Sequence, residues 1–384
     1  MPAILAILII LAATPVAAQV PSIAAGDWLR LELKARVQAD LRKSEAAIRD
    51  DDNGGIDVAR RRVGVDGRVS HVDFQIEYEL AARQWRDVYF DYRQFRAVQL
   101  RGGLFKVPFG LEETTSVTNL DFVYRTQTSA RLAPGRDRGV SVHGRVLKDV
   151  LSYEAGMFAN DGDNARPSNS ARVFGNRTSA ARLVAQPFRR SKSPLAKLQV
   201  GGAVSVSEVP TGYPAVRART VFGGSFFDSD VWVRGRRQRL GLEARWQPYR
   251  ASIQAEYIRL TDERRGQGVD GADLSPLVAQ GWYLSGSYRL TPKGSRYGRV
   301  DAAARYEMLS FGSGGAGEPS ASARADVVLG NTDRVTTFGV NWQVNRWVKV
   351  QANAIHEDIA RPSMGPLPGR PGFWSRVFRL QLTL

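Results

Sequence analysis

Arginine dominates the chemistry this chain can do. Arg237, Arg239 and Arg245 share the odd positions of one segment, and Arg60, Arg62 and Arg68 share the even positions of another. In an extended chain, adjacent same-face residues stand about 6.8 Å apart. Each guanidinium offers a planar fork of donors that matches an oxyanion, and several weak sites in a row allow release as well as capture. Arg101, Arg145, Arg182, Arg289 and Arg305 are candidates for the same surface. Lys106, Arg125, Arg131, Arg136 and Arg138 gather around one long connection. The competing use is structural: Glu32, Asp66, Asp73, Glu77, Glu79, Asp87, Asp91 and Glu243 fall on the same faces, and a cross-strand ion pair is worth roughly 0.2–1 kcal/mol.

The 384 residues carry 54 Lys plus Arg against 38 Asp plus Glu, a formal charge of +16. That balance suits nucleic acid, anionic lipid headgroups or small oxyanions. Other chemistries are poorly served. Cysteine is absent, which removes thiolate metal sites, disulfides and cysteine nucleophiles. The three histidines, His71, His143 and His356, accompany neither a Gly-x-Ser-x-Gly elbow nor a His-Glu-x-x-His motif, so no catalytic set, metal site or cofactor is expected. The stretches Asp50-Asp51-Asp52-Asn53-Gly54-Gly55 and Asn160-Asp161-Gly162-Asp163-Asn164 lack full EF-hand spacing and read as solvated turns. The basic run Arg234 to Arg239 has no recognition helix, zinc finger or stacking platform beside it, so nucleic acid is not an expected partner.

The elements that must carry these residues are strands. From Trp28 onward the chain alternates apolar and polar residues in segments of about ten, the signature of a transmembrane barrel. In the first, Leu29, Leu31, Leu33, Ala35 and Val37 oppose Arg30, Glu32, Lys34, Arg36 and Gln38. Further segments fall at 57–69, 72–80, 86–94, 96–105, 137–147, 151–159, 177–186, 198–207, 238–247, 250–260, 280–290, 299–309, 333–344, 346–356 and 373–384. The expected fold is therefore all-β, a transmembrane antiparallel β-barrel of about 16 strands. The pairing of the 208–237 region stays open. Short periplasmic turns, such as Ser70-His71 and Pro248-Tyr249, alternate with long external loops at 39–56, 106–136, 160–176, 208–237, 261–279, 310–332 and 357–372. Trp246, Tyr249, Trp342 and Trp347 flank short turns, where amphipathic rings favour headgroup depth. Residues 1–18, with an apolar core and the ending Val16-Ala17-Ala18, read as a signal peptide, which leaves 19–384 as the barrel domain.

Several blocks resemble one family. They are Ala59-Arg60-Arg61-Arg62-Val63-Gly64-Val65-Asp66-Gly67, Asp73-Phe74-Gln75-Ile76-Glu77-Tyr78, Val88-Tyr89-Phe90-Asp91-Tyr92-Arg93 and Gly103-Leu104-Phe105-Lys106-Val107-Pro108-Phe109-Gly110-Leu111-Glu112-Glu113. Ala133-Pro134-Gly135-Arg136-Asp137-Arg138-Gly139-Val140 and, later, Gly281-Trp282-Tyr283, Arg305-Tyr306 and Asn341-Trp342 follow in order. Together they resemble the phosphate-selective porin O and P family over about half of the chain beyond the signal. The resemblance implies a porin of the cell outer membrane of a Gram-negative-type bacterium. It further implies a homotrimer embedded in outer-membrane lipid, passing small anions such as phosphate or polyphosphate, with 106–136 folded inward as the constriction loop. The lumen residues expected on that reading are Arg60, Arg62, Arg101, Lys106, Arg136, Arg138, Arg145, Arg237, Arg239, Arg245, Arg289 and Arg305. A general, weakly selective diffusion porin and an outer-membrane hydrolase are the competing readings.

Overall fold

In the computed structural model the described residues are 22–26, 28–164, 177–214, 218–227, 231–315, 317–322 and 324–384. The expected signal at 1–18 lies outside them. Strands β1 (Ser22–Ala25), β2 (Leu29–Ser44), β3 (Asn53–Val69), β4 (Val72–Glu79), β5 (Gln84–Tyr92), β6 (Gln99–Lys106), β7 (Arg136–Val146), β8 (Leu151–Phe158) and β9 (Thr178–Ala185) form one half of the sheet. The other half is β10 (Leu198–Pro214), β11 (Trp232–Trp246), β12 (Ala251–Arg264), β13 (Leu274–Arg289), β14 (Arg299–Ser313), β15 (Asn331–Gln343), β16 (Val348–Ile359) and β17 (Gly372–Thr383). Each strand from β2 to β17 pairs antiparallel with the next, and β17 returns to β2 with Ser375 opposite Ser44 and Thr383 opposite Arg36. Sixteen strands thus close into a barrel, while β1 only extends the edge of β2, with Ser22 opposite Glu32. Closure is what hydrocarbon demands, because it leaves no strand edge with unpaired amides.

The alternation read from sequence sets the faces. Leu33, Ile76, Leu240, Leu242, Trp282 and Leu284 are exposed on the outside, whereas their strand neighbours Glu77, Arg239, Glu243 and Tyr283 are buried within. Arg61 and Arg259 break the pattern and are exposed on the outside. On the short-turn end, the Trp246 indole donates to the Pro194 carbonyl at 3.1 Å and that of Trp342 to the Tyr297 carbonyl at 2.7 Å, with Tyr249 fully outward. The rings keep a polar handle in an apolar belt, as an interface girdle requires.

The strands run further than their alternation suggests. β2 reaches Ser44 and β3 begins at Asn53, so the loop expected at 39–56 shrinks to 45–52. The 208–237 region resolves the same way: Glu208 pairs with Arg236, and Pro214 with Trp232, so the β10–β11 hairpin simply extends upward. Ladder hydrogen bonds continue past the membrane, but the two-residue pattern fades where neither face meets lipid.

The interior is not uniformly polar. On the external half of β11 to β17, inward-facing Val233, Ile258, Leu260, Leu277, Leu309, Phe311, Ile359 and Phe373 form an apolar core with Phe109 and Leu132 of the 107–135 loop and Phe226 and Phe227 of the β10–β11 loop. Phe226 and Phe227 pack on Phe311 with ring centroids 6.1 and 5.3 Å apart. Two external loops therefore fill one side of the barrel, which decides where anything can pass.

Candidate functional site: a basic passage beside an inward loop

The loop between β6 and β7 turns into the barrel at Gly110, whose φ of +76° suits glycine; a Cβ there would lie 2.4 Å from Glu256 Oε1. It then forms two short helices, α1 (Leu111–Thr114) and α2 (Gln127–Leu132). Inward carboxylates of the wall satisfy the amides at their starts. Glu256 accepts from the Leu111 amide at 2.9 Å, and Glu307 from the Gln127 amide at 2.6 Å. Within the loop, Glu112 accepts from the Thr126 amide and hydroxyl at 2.7 and 2.6 Å. Between the helices, wall side chains take the carbonyls: Lys349 donates to Leu120 at 2.7 Å, Asn341 to Asp121 at 2.7 Å, Arg379 to Val123 at 2.9 Å and Arg305 to Tyr124 at 3.1 Å. Loops rarely lie buried, since their backbone polar groups need partners; here the polar face of the wall supplies them.

All these anchors belong to β12 to β17, so the loop leans on that side and leaves space along β2 to β9. An outer cavity of about 270 Å³ is lined by six basic side chains, Arg60, Arg62, Arg86, Arg125, Arg131 and Arg136, against two carboxylates, Glu113 and Asp163. An inner cavity of about 370 Å³ has seven basic side chains, including Lys34, Arg36, Arg101, Lys106 and Arg182, against Glu77, Asp87 and Glu154. The two share Arg62, Arg136 and Val117, which mark the neck between them. Toward the short turns a third cavity of about 580 Å³ shares Arg101 and Arg182 with the inner one and adds Arg93, Arg96 and Arg145. Burial, and next Arg219, push the Arg131 guanidinium down to about 10, so it remains cationic at neutral pH.

At the neck, Arg136 forks onto Asp87 at 3.1 and 2.9 Å, and Arg62 reaches Glu77 at 2.7 Å and Glu79 at 2.6 Å. Lys106 donates to the Glu113 and Thr115 carbonyls at 2.5 and 3.0 Å, tying the loop to its root. Arg101 bonds Asp91 at 2.8 Å and lies over the Tyr89 ring at 5.2 Å. These pairs fix where the guanidiniums stand, and the surplus of bases over acids gives the passage its sign.

Of the twelve expected lumen residues, Arg60, Arg62, Arg101, Lys106, Arg136 and Arg145 line this continuous route. The others do not. Arg237 and Arg239 are 0% and 2% accessible, so the expected Arg237-Arg239-Arg245 ladder is a lock rather than a path. Arg237 bonds Asp262 and Asp161, each at 2.7 Å, and Arg239 bonds Asp161 at 2.7 Å and the Leu132 carbonyl at 2.7 Å. Arg245 faces a separate chamber of about 510 Å³ beyond the loop. Arg305 lies beneath the loop, 3.1 Å from Glu307 and 4.6 Å from the Phe122 ring centroid. Arg289 faces inward opposite Asp301 but borders none of these cavities. Arg138 is exposed in alternation with outward Val140 and Val142, because β7 keeps Asp137, Ser141 and His143 inside.

Arg86 was not anticipated. Ile76 pairs with Val88 but Tyr78 with Trp85, so Glu77 opposes both Arg86 and Asp87. This bulge turns two successive residues inward, which a strict two-residue count cannot see. The acidic stretches serve as clamps: Asp161 binds Arg237 and Arg239, Asp163 binds Arg86 at 3.0 Å, and Asp52 accepts from the Arg49 amide at 3.0 Å. The histidines are not brought together: His143 is inside and 2.8 Å from Asp91, His356 packs outside on Trp374, and His71 sits in the β3–β4 turn.

Burial opposes ionisation of Asp161, but Arg239 and Arg237 outweigh it and hold the carboxyl well below the usual range. A depressed carboxylate contributes stability above its unfolded pKa and loses it as pH falls through the folded one. Asp161→Asn leaves two buried guanidiniums without their shared partner, a change that costs roughly 3–5 kcal/mol for buried pairs. The expected outcome is a lower midpoint for loss of the compact gel band on heating at pH 7, with the difference between the two proteins closing in strong acid.

Comparison with known proteins agrees with this architecture. Residues 31–364 match the family Phosphate-selective porin O and P. Porin O of Pseudomonas aeruginosa is 24% identical over 374 residues, covering 84% of this chain and 81% of the relative. Among solved structures, in-vitro folded OmpT of Vibrio cholerae superposes with a TM-score of 0.60 at 11% identity, covering 96% of this chain and 100% of that one. The anion-selective porin from Comamonas acidovorans gives 0.59 at 12% identity, covering 93% and 100%. With its closed sixteen-strand barrel and a family match over most of its length, this chain belongs to the phosphate-selective porin O and P family and is a porin of the Gram-negative outer membrane.

Proposed function

We propose that this porin passes small anions, phosphate or polyphosphate among them, by passive diffusion along the β2–β9 side of its lumen. The carrying observation is the continuity of the outer and inner cavities through Arg62 and Arg136, with basic side chains in excess on both sides of the neck. An anion descending from the external side meets Arg60, Arg86, Arg125 and Arg131, then the neck, then Lys34, Arg36 and Arg101. Lys34, Arg62, Arg86, Arg101, Arg125 and Arg136 are each partly neutralised by a carboxylate, so these sites do not hold the ion too long; conduction needs this balance. The segment 106–136 acts as the constriction, 1–18 as the export signal and 19–384 as the mature barrel. The chain works as a homotrimer, a reading supported by the trimer form described for OmpT of Vibrio cholerae, and it has no catalytic role.

Reversal potentials across planar bilayers in a potassium chloride gradient test the sign. Chloride is expected to be favoured over potassium, more strongly near 0.1 M than near 1 M salt, because the screening length falls from about 10 to about 3 Å. Block of the chloride current by low phosphate supports an oxyanion site, its absence a general weakly selective pore. A potassium preference overturns the anion reading.

A further inference from the structure

The outer surface carries a feature that conduction does not use. Across β7 to β10 two outward rows lie in register: Val142, Ala155, Ala181 and Val204 in one, Val140, Met157, Ser179 and Val206 in the next. Small residues form the floor, and Leu100, Val140 and Val142 on one side and Val204 and Val206 on the other form the walls, enclosing an apolar groove of about 540 Å³. A barrel surface facing fluid lipid needs no such recess.

The next outward row, about 6.8 Å nearer the external end, changes character. The Ala159 amide bonds the Arg138 carbonyl, and the register then carries the row through Arg177 and Glu208 to Arg236. All three arginines are exposed, and none makes an ion pair with a described residue. Alternate strands in a sheet lie about 10 Å apart, so Arg138, Arg177 and Arg236 form a triad of guanidiniums spaced evenly along the rim, with Glu208 among them and Glu263, which accepts from the Arg236 amide at 2.8 Å, at its β12 end. Arg259 is exposed further round on β12.

We propose that this surface binds one bisphosphorylated, multiply acylated glycolipid of the lipid A type from the outer leaflet. An acyl chain lies in the groove, and the headgroup phosphates bridge Arg138, Arg177 and Arg236. Charge complementarity selects this occupant. An exposed arginine row at headgroup depth is costly beside hydrocarbon, and guanidinium forks match phosphate oxygens two at a time. A second copy of the chain would instead have to cover an arginine row with a surface of its own.

The test titrates the full-length barrel, in detergent, with bisphosphorylated hexa-acyl lipid A and with its dephosphorylated counterpart, reading bound lipid by native mass spectrometry. Affinity for the dephosphorylated lipid is expected to be at least tenfold weaker, a comparison on unaltered protein that needs no variant. Arg138→Gln with Arg177→Gln and Arg236→Gln is expected to reproduce that loss, and Ala155→Phe with Ala181→Phe to abolish retention, with single-channel conductance unchanged in both. Equal binding of the two lipids, or full affinity in the arginine variant, overturns the proposal. So does efficient cross-linking of Met157→Cys to its own copy in membranes, which would show protein covering the groove.

Discussion

Replacing Arg62 and Arg136 together by glutamine is expected to remove most of the anion preference of the neck. The substitution removes two positive charges from the neck and leaves Glu77, Glu79 and Asp87 without the guanidiniums that now engage them. A unit charge at 4 Å is worth about 4 kcal/mol at an effective dielectric of 20. Even if solvent removes most of that, a net change of about 1.4 kcal/mol is tenfold, so the chloride-to-potassium permeability ratio should fall by at least about tenfold. Reversal potentials in a potassium chloride gradient provide the measurement. A ratio that stays put would mean that ions travel elsewhere, for example through the chamber beside Arg245.

Excising 111–132 and joining the ends with a short glycine-serine linker should raise single-channel conductance roughly threefold or more, since current through a pore follows its open section. The barrel wall should survive, because its ladders run strand to strand without the loop. The compact, heat-sensitive gel band checks that. Selectivity should drop at the same time, because the excision removes Arg125 and Arg131 and uncovers Glu112's former neighbours Glu256 and Glu307. Wild-type conductance in a folded, excised barrel would show that the loop does not narrow the lumen.

The wall of this protein is written plainly in its sequence, and its filling is not. Alternation such as Val72-Asp73-Phe74-Gln75-Ile76-Glu77 fixes which side meets lipid, because lipid imposes one chemical demand on every second residue. Nothing equally simple distinguishes inward residues that meet water from those that meet a loop. Arg237 and Arg62 look alike in sequence; only the fold shows Asp161 descending on the first and the passage running past the second. Ile258 and Leu260 alternate with Tyr257 and Arg259, so their strand looks oily on the inside, a signal that a buried patch lay within. The bulge at Arg86 and the outward turn of Arg138 show the same limit locally, one extra residue or one shifted parity reassigning a charge to the opposite face.

The seam between β2 and β17 ties assembly to function. Arg379 on the last strand grips Asp40 on the second at 2.6 Å and also donates to the Val123 carbonyl of the inward loop, while Gln38 meets Gln381 across the join. The final zipping of the cylinder and the seating of its contents therefore use the same side chains. A cylinder closed with the loop left outside would keep the Arg379–Asp40 pair and lose the Val123 contact, so closing the seam and seating the loop stabilise each other through one guanidinium.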